Sequence, residues 1–185
     1  MRIIAGEHRR RLIGVALRPQ LRPTPDRVRE TLFNWLGQDL HALACLDLYA
    51  GSGALGFEAV SRGARLVILV EHDRAALAQL ERNRAALGAR QVEIVADDAL
   101  RFLERSRASF DVVFVDPPFR QNAWPAVALR LPPRLAPGAR VYVEGPRPVA
   151  ASAPWHELRR GRAGEVSYQL LQWGAHDPSG VSGNV

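Results

Sequence analysis

Hydrophobic and polar positions alternate along most of the chain in a repeat of short apolar runs and amphipathic segments. Leu66 to Val70 is a continuous apolar run, typical of a parallel strand covered on both faces, and a helical pattern over Arg74 to Leu87 follows it. The repeat predicts strands at 46–49, 66–70, 92–96, 112–115 and 140–144, and helices at 55–62, 74–87 and 99–105. Such repetition predicts an α/β fold with a mostly parallel sheet, whose ligand lies beyond the carboxyl ends of the strands.

The first forty residues have a different pattern. Short β-prone runs at 2–5 and 12–16 are joined by polar residues, which predicts a hairpin with a basic tip. Thr24 then suits a helix N-cap and Pro25 the first position of an amphipathic helix that ends near Gly37. We interpret 1–40 as part of the same domain as the core.

The C-terminal part of the chain predicts fewer regular elements. Residues 133–138 interrupt the pattern, and runs at 155–159 and 166–173 around two glycines predict a closing hairpin. The core therefore spans 41–173, and the small polar residues of 174–185 predict a flexible tail.

Length and composition narrow the class of protein. The 185 residues fit one domain, with 47% apolar and 24% charged residues. No run approaches the roughly 20 apolar residues of a membrane span, and the start of the chain turns polar too early for a signal peptide, so we expect a cytoplasmic protein without a membrane partner. Cys45 suits the core, and the five histidines lack metal-ligand spacing, so we expect no metal.

The positive charge lies at the two ends of the domain. Residues 1–40 hold eight arginines against four acids and 120–162 eight against two, whereas 41–119 hold nine against eleven. Every basic residue among the 25 lysines and arginines is an arginine, whose planar fork suits phosphates and stacked bases. Although any single arginine suits a solvated surface, the clustering indicates nucleic acid as a partner.

Residues 51–56 have the G-x-G-x-x-G spacing of a dinucleotide-binding loop, and Glu71 stands at the end of the second strand. Such glycines admit a ligand close to the backbone, and the acid accepts hydrogen bonds from ribose hydroxyls, which suits any adenosine cofactor. Asp47, inside the first strand, can receive the cationic methionine end of S-adenosylmethionine but would repel a pyrophosphate. Asp98, next to Asp97, can accept from the adenine amine and also suits the N-cap of the next helix. The pattern favours S-adenosylmethionine.

Asp116-Pro117-Pro118-Phe119 directly follows the fourth predicted strand. An exocyclic base amine is a poor nucleophile because its lone pair is delocalised into the ring. Hydrogen bonds from its N–H groups to the Asp116 carboxylate and the Pro117 carbonyl would aim the lone pair at a methyl donor. The prolines bring no competing N–H donors, and Phe119 offers a stacking face for a flipped base. The loop predicts amino methylation of a nucleobase, although in isolation it also suits a turn that ends a strand.

The chain resembles the bacterial small-subunit ribosomal RNA guanine-N2 methyltransferases from about Arg2 to Trp173. The resemblance is carried by RIIAG at 2–6, RPTPDRVRETLFNWL at 22–36, DLYAGSGALG at 47–56, DPPF at 116–119 and GEVSY at 164–168. The segment at 22–36 is particular to this family, whereas the glycine and Pro-Pro loops are shared by many amino-methyltransferases. The resemblance implies a Rossmann-like class I methyltransferase fold with a seven-stranded sheet and helices on both faces. It implies methyl transfer to the N2 amine of a guanine in small-subunit ribosomal RNA, free or in an assembly particle. Separately, the residues show no obvious dimer face, so we expect a monomer.

The resemblance also implies roles for individual residues. The cofactor is expected at Thr24, Arg27, Asp47, Gly51, Ser52, Gly53, Glu71 and Asp98, and the target amine at Asp116, Pro117, Pro118 and Phe119. Charge adds RNA phosphate contacts at Arg9, Arg10, Arg11, Arg18, Arg22, Arg120, Arg159, Arg160 and Arg162. Two departures from the family are that Arg9-Arg10-Arg11 stands where a glycine is expected among basic residues, and that Phe119 replaces the commoner tyrosine.

Three other functions use the same motifs. An adenine-N6 methyltransferase uses the same loop, but a DNA enzyme of this kind would normally need a target-recognition domain, for which the chain leaves no room. A nicotinamide-dependent oxidoreductase would use the G-x-G-x-x-G loop. A catalytically silent RNA-binding module would need only the arginines.

Overall fold

The computed structural model describes residues 1–15, 25–118 and 122–174. Its elements are α1 (Asp26–Leu36), β1 (Ala44–Asp47), α2 (Ala54–Ser61), β2 (Leu66–Glu71), α3 (Arg74–Leu87), β3 (Val92–Ala96), α4 (Ala99–Arg105), β4 (Phe110–Val115), α5 (Trp124–Arg130), a 3-10 turn (Pro132–Arg134), β5 (Leu135–Gly145), β6 (Trp155–Ala163) and β7 (Val166–Trp173). None of the helices in these ranges is long and apolar enough to cross a bilayer.

The strands form one seven-stranded sheet in the order β3-β2-β1-β4-β5-β7-β6. The pairs from β3 to β5 are parallel, and β7 is antiparallel to both β5 and β6. The strand order reverses between β1 and β4, which creates a crevice at their carboxyl ends. The predicted α/β fold with a mostly parallel sheet is confirmed.

Helices cover both faces of the sheet, as predicted. On the face covered by α1, α2 and α3, hereafter the α1 face, Leu80 and Phe114 belong to one buried cluster. On the opposite face, Val127 of α5 and Val113 of β4 belong to a second cluster. Because side chains alternate along a strand, residues two apart on β4 share a face, which fixes the face of the residues that follow the strand.

The bounds of α3, α4 and β3 match the sequence predictions, but α1 and β1 begin elsewhere. Pro25 is the N-cap of α1, with ψ 147°, and its carbonyl accepts from the N–H groups of Val28 and Arg29. The prediction of Pro25 as the first helical residue is therefore wrong, because its extended ψ keeps it outside the helix. The first strand ends at Asp47 rather than at 49, since Leu48 is buried in the following turn and mimics a strand residue.

The region between β4 and β5 contains a helix that the sequence patterns missed. Helix α5 has seven residues, of which Val127 alone is buried, so its periodicity is too short to detect. The predicted break at 133–138 is confirmed in part: a 3-10 turn ends at Arg134, and although β5 begins at Leu135, its pairing with β4 is interrupted until Arg140. The register between β4 and β5 shifts between the Phe110 and Val112 pairs, and the extra residues bulge out of the ladder.

The predicted N-terminal hairpin forms only in part. A single bridge joins Arg2 to Leu12, so the predicted strands at 2–5 and 12–16 are wrong over residues 1–15. The N–H groups of Ile4 and Ala5 instead donate to the Glu58 carboxylate of α2, at 2.8 and 3.1 Å. The N-terminal segment is therefore held mainly by hydrogen bonds to helix α2 rather than by pairing between two strands of a hairpin.

Candidate active site

Two carboxylates hold the glycine loop, residues 51–56, at the carboxyl edge of the sheet. Asp47, the last residue of β1, accepts from the Gly56 N–H at 3.2 Å. Glu71, the last residue of β2, accepts from the Gly51 N–H at 2.9 Å, and its other oxygen accepts from the next two backbone N–H groups. The neighbouring parallel strands thus bring together two acids that the sequence analysis selected.

The glycine loop is open on one side and tightly packed on the other. Gly51 has φ +51°, and a Cβ built on it would meet no atom nearer than the Tyr49 carbonyl at 3.9 Å. Gly53 has φ +79°, and a Cβ there would lie 2.5 Å from the Phe57 ring. The backbone at Gly51 therefore leaves space for a ligand, whereas Gly53 is required by the packing of α2.

Asp47 makes the floor of the crevice electronegative. Its side chain belongs to a residue only 2% exposed. Burial, and then the charge of Asp116, raise the pKa of Asp47 from 3.8 to about 7, against the lowering effect of the Gly56 hydrogen bond. Among the described residues no arginine forms an ion pair with it. A carboxylate in such surroundings favours a cationic partner.

The Asp-Pro-Pro loop lies at the same edge as the glycine loop. Asp116 and Pro117 are half-buried and Pro118 is exposed. The charge of Asp116 contributes to the raised pKa values of both Asp47 and Glu144, so its carboxylate lies close to both. The structure therefore brings the predicted catalytic loop and the predicted cofactor loop to one crevice.

Glu144 and Tyr142 belong to this site, and the sequence analysis missed both. Glu144 stands near the end of β5, and the Tyr142 hydroxyl donates to its carboxylate at 2.7 Å. Burial and the charge of Asp116 raise the pKa of Glu144 from 4.5 to about 8. An acid that ends an apolar strand was the signal used for Glu71, and the same signal is present at 141–144.

Asp98 serves as the N-cap of α4, one of the two interpretations of this residue. Its carboxylate accepts from the N–H groups of Leu100 at 2.9 Å and Arg101 at 3.1 Å. Asp97 instead faces the guanidinium groups of Arg101 and Arg105, at 3.7 and 3.8 Å. The capping interpretation is confirmed, and the role of Asp98 toward adenine stays a prediction.

Of the remaining predicted cofactor residues, one lies in the glycine loop, one is exposed on α1 and one lies outside the described residues. The Ser52 carbonyl accepts from the Asn83 side chain at 3.3 Å, within the glycine loop. Arg27 is exposed on α1, and its carbonyl accepts from the Thr31 hydroxyl at 2.8 Å. Five predicted site residues lie outside the described residues: Arg18, Arg22, Thr24, Phe119 and Arg120.

The described arginines of the predicted RNA surface fall at opposite edges of the sheet. The tip at 9–11 is exposed, and Arg11 donates to the Ala86 carbonyl near the end of α3, which is the amino edge. Arg160 and Arg162 on β6 pair with Gln169 and Ser167, level with the carboxyl end of β5. Only the β6 arginines therefore lie at the edge that holds the acids.

Two adjoining cavities extend from the Asp-Pro-Pro loop toward β6. The first, of about 620 Å³, is lined by Pro117, Trp124 and Glu144 among others. The second, of about 530 Å³, is lined by three arginines, Arg147, Arg160 and Arg162. Both cavities share the residues 146–148, so an extended ligand can follow them from Glu144 to the arginines. Within the described ranges no cluster of three or more metal-binding side chains occurs.

Comparisons with known proteins agree with this geometry. The family model described as conserved hypothetical protein 95 matches residues 1–172. The chain belongs to this family. It is 43% identical to ribosomal RNA small subunit methyltransferase D of Haemophilus influenzae, covering 93% of each chain, and 44% identical to the protein of that name in Escherichia coli, covering 93% of this chain and 89% of the other.

The solved structures give the same fold. An Escherichia coli structure with 44% identity superposes with a TM-score of 0.86, covering 95% of this chain and 99% of the other. The neighbouring structures are class I methyltransferases, so the predicted Rossmann-like class I fold is confirmed.

Proposed function

We propose that the protein transfers a methyl group from S-adenosylmethionine to the exocyclic N2 amine of a guanine in small-subunit ribosomal RNA. The observation that carries the proposal is the meeting of Asp47, Glu71 and Asp116 at the open side of the glycine loop. Relatives that are 43% and 44% identical over 93% of this chain are named as small-subunit ribosomal RNA methyltransferases.

The charge of the crevice fits this cofactor better than a dinucleotide. S-Adenosylmethionine carries a methyl group on a positively charged sulfur and an ammonium group nearby. Asp47 offers a buried carboxylate whose charge such a ligand would stabilise, and the backbone at Gly51 leaves room for it. Glu71 would accept from the ribose hydroxyls and Asp98 from the adenine amine, and Thr24 and Arg27 would contact the methionine end.

The residues at the end of β4 would prepare the target amine. The Asp116 carboxylate and the Pro117 carbonyl accept its two N–H groups, which localises the nitrogen lone pair and directs it toward the methyl carbon. Phe119 would stack on the flipped base. The bound cofactor would supply an electrophilic methyl group, and the electrons of its broken bond to carbon would remain on sulfur as the nitrogen bonds to that carbon. The surplus proton would pass from the nitrogen to Asp116 or to water.

The arginines would bind the RNA backbone. The cavities that connect Pro117 to Arg147, Arg160 and Arg162 offer a path for the strand that carries the target base. Arg159 lies on the same strand, β6. The tip at 9–11 lies at the other edge and would contact a distant phosphate of a folded RNA or of a partly assembled small-subunit particle.

The direct test is incubation of the protein with labelled S-adenosylmethionine and small-subunit RNA or particles from a strain that lacks the gene. We expect label in N2-methylguanosine, identified by nucleoside analysis. Asp116→Ala should lower the rate of methyl transfer by about 10²–10³-fold while RNA affinity holds, which separates an enzyme from a silent RNA-binding module. Label in methyladenosine would refute the guanine assignment.

A calorimetric titration tests the cofactor. We expect binding of S-adenosylmethionine and none of a nicotinamide dinucleotide, because Asp47 would face the pyrophosphate. Tight dinucleotide binding would instead favour an oxidoreductase.

The N-terminal tip is tested by its salt dependence. Changing Arg9, Arg10 and Arg11 together to alanine should weaken RNA binding and reduce the slope of log affinity against log salt, since each phosphate contact releases counterions. Cofactor affinity should hold. An unchanged slope would remove the tip from the RNA surface, and Arg160→Ala with Arg162→Ala provides the comparison at the active-site edge.

A further inference from the structure

Glu144 is an acid of the crevice to which the proposed function gives no role. The last pair of the β4–β5 ladder is Val115 with Val143, so Asp116 and Glu144 are the next residues of two adjacent parallel strands. Phe114 and Tyr142, two residues earlier, both lie in the cluster of the α1 face. By strand alternation Asp116 and Glu144 project toward this same face, side by side.

The Glu144 carboxylate is held by one oxygen and open at the other. The buried Tyr142 hydroxyl donates to Oε2 at 2.7 Å, which fixes the orientation of the group. Oε1 receives no hydrogen bond from the described residues, and Glu144 is half-buried at the carboxyl edge where Asp116 lies. The free oxygen is therefore available to a base whose amine lies at Asp116.

Two adjacent carboxylates match one nucleobase edge in particular. The Watson–Crick edge of guanine presents the N2 amine and the N1–H side by side, and both are donors. The corresponding edge of adenine presents the N6 amine next to the N1 lone pair, which is an acceptor. If Asp116 accepts from the amine, guanine places a donor near Glu144, whereas adenine places a lone pair there.

We propose that Glu144 selects guanine by accepting the N1–H of the target base next to the amine held by Asp116. The proposal rests on the proposed function, because it assumes that the amine binds at Asp116. Tyr142 is a positioning residue that acts through Glu144. A site built around such a hydrogen bond discriminates strongly against a base that lacks the donor, since the buried acceptor is then left unpaired.

The protonation of Glu144 is compatible with this role once the cofactor is bound. Burial and the Asp116 charge raise the pKa of Glu144 to about 8, and a cation bound near Asp47 and Asp116 acts in the opposite direction. The groups that face Glu144 are Asp116 and the Tyr142 hydroxyl. Cofactor binding therefore favours the charged acceptor that guanine requires.

The test uses RNA substrates in which the target guanine is replaced by 2-aminopurine. This base keeps the amine but has a lone pair in place of the N1–H. We expect the wild-type protein to methylate guanine at least 100-fold faster than 2-aminopurine. Glu144→Gln, whose amide can donate to the lone pair, should slow guanine methylation and narrow this ratio to about tenfold or less. Tyr142→Phe should also lower the ratio of the guanine rate to the 2-aminopurine rate, but by a smaller factor.

Matched measurements separate this role from damage to the fold. Glu93→Gln changes an exposed acid on β3 and should leave the ratio unchanged. S-Adenosylmethionine affinity, measured by calorimetry, reports whether each variant is folded, and Tyr142→Phe supplies the ratio if Glu144→Gln does not fold. Equal loss on both substrates, or an unchanged guanine rate in Glu144→Gln, would overturn the proposal while the proposed function stands. Failure of the wild-type protein to methylate guanine at N2 would count against the proposed function itself.

Discussion

Glu58 and Asp47 are both buried carboxylates, but their surroundings are opposite. Glu58 is 0% exposed and lies 2.9 Å from the Arg62 guanidinium and 3.6 Å from that of Arg29. It also accepts the two N–H groups of the N-terminal segment. Asp47 accepts from the backbone N–H groups of Gly56 and Tyr49, and the charged groups that act on its pKa, Asp116 and Glu71, are both acids that raise it.

This difference separates a structural acid from a binding acid. The negative charge of Glu58 is compensated within the protein, so it joins the N-terminal segment, α1 and α2 into one unit. The charge of Asp47 is opposed by its neighbours, and the folded protein bears a free-energy cost whenever Asp47 ionises. A bound cation would offset this cost, so a buried carboxylate with acidic neighbours is the arrangement expected of a cation-binding site.

Removing the compensated acid should have the largest effect on stability. Glu58→Ala leaves the buried Arg62 guanidinium without its carboxylate, leaves the buried Arg29 guanidinium with Asp26 as its remaining carboxylate, and leaves two backbone N–H groups without an acceptor. We expect a loss of about 3–5 kcal/mol in the free energy of unfolding, measured by urea denaturation. The control is Glu81→Ala, which removes an exposed ion pair of 2.8 Å to Arg84 and should cost under about 1 kcal/mol. Similar losses in the two variants would contradict the comparison.

Neutralising Asp47 should have the opposite effect on stability and raise the free energy of unfolding. The Asp47 carboxyl ionises near 3.8 in the unfolded chain but near 7 in the folded protein. The folded state therefore holds more protons between these values, and the free energy of unfolding falls as pH rises through this window. At pH 8 Asp47→Asn should stabilise the cofactor-free protein by on the order of 2 kcal/mol, while lowering cofactor affinity. The interpretation would be wrong if Asp47→Asn destabilised the protein at pH 8 and its free energy of unfolding fell with pH as steeply as that of the wild type.

The same titration should appear in cofactor binding. Because a cationic ligand prefers the ionised Asp47, affinity for S-adenosylmethionine should rise by up to about tenfold per pH unit below the pKa of about 7 and level off above it. Calorimetry between about pH 6 and 8 measures this profile. In Asp47→Asn the rise should be smaller, and an identical rise would assign it to another group.

The smallest effect concerns the N-terminal turn that Glu58 holds in place. Arg10 has φ +69°, a left-handed conformation in which a side chain is strained and glycine is not. It is the middle residue of the segment where the resemblance leads us to expect a glycine. Arg10→Gly should raise the free energy of unfolding by about 0.5–1 kcal/mol in thermal denaturation. Arg9→Gly, at a neighbour without positive φ, should not stabilise the protein, and a gain in both variants would point to charge rather than strain.

Local patterns predicted the acids at the ends of β2 and β4 because an apolar run followed by an acid is a short-range feature. This pattern is visible at Glu71 and Asp116 without knowledge of any neighbour, whereas Asp47 was selected inside a strand predicted to continue to 49. Glu144 follows an apolar run in the same way, but only the strand order, which places β5 beside β4, shows that it lies next to Asp116. Arg29 carries no signal at all, since an arginine on a helix is ordinarily exposed.

The sequence alone determined the α/β repeat, the glycine loop and the Asp-Pro-Pro loop, because periodicity and turn chemistry act over a few residues. Tertiary structure decided which charges meet. It set Glu58 between two arginines, gathered Asp47, Asp116 and Glu144 in one crevice, and sent the basic tip and the β6 arginines to opposite edges of the sheet. Electrostatic partners are chosen through space, by strand order and helix packing, and that choice separates the acids that hold the fold from those that bind a ligand.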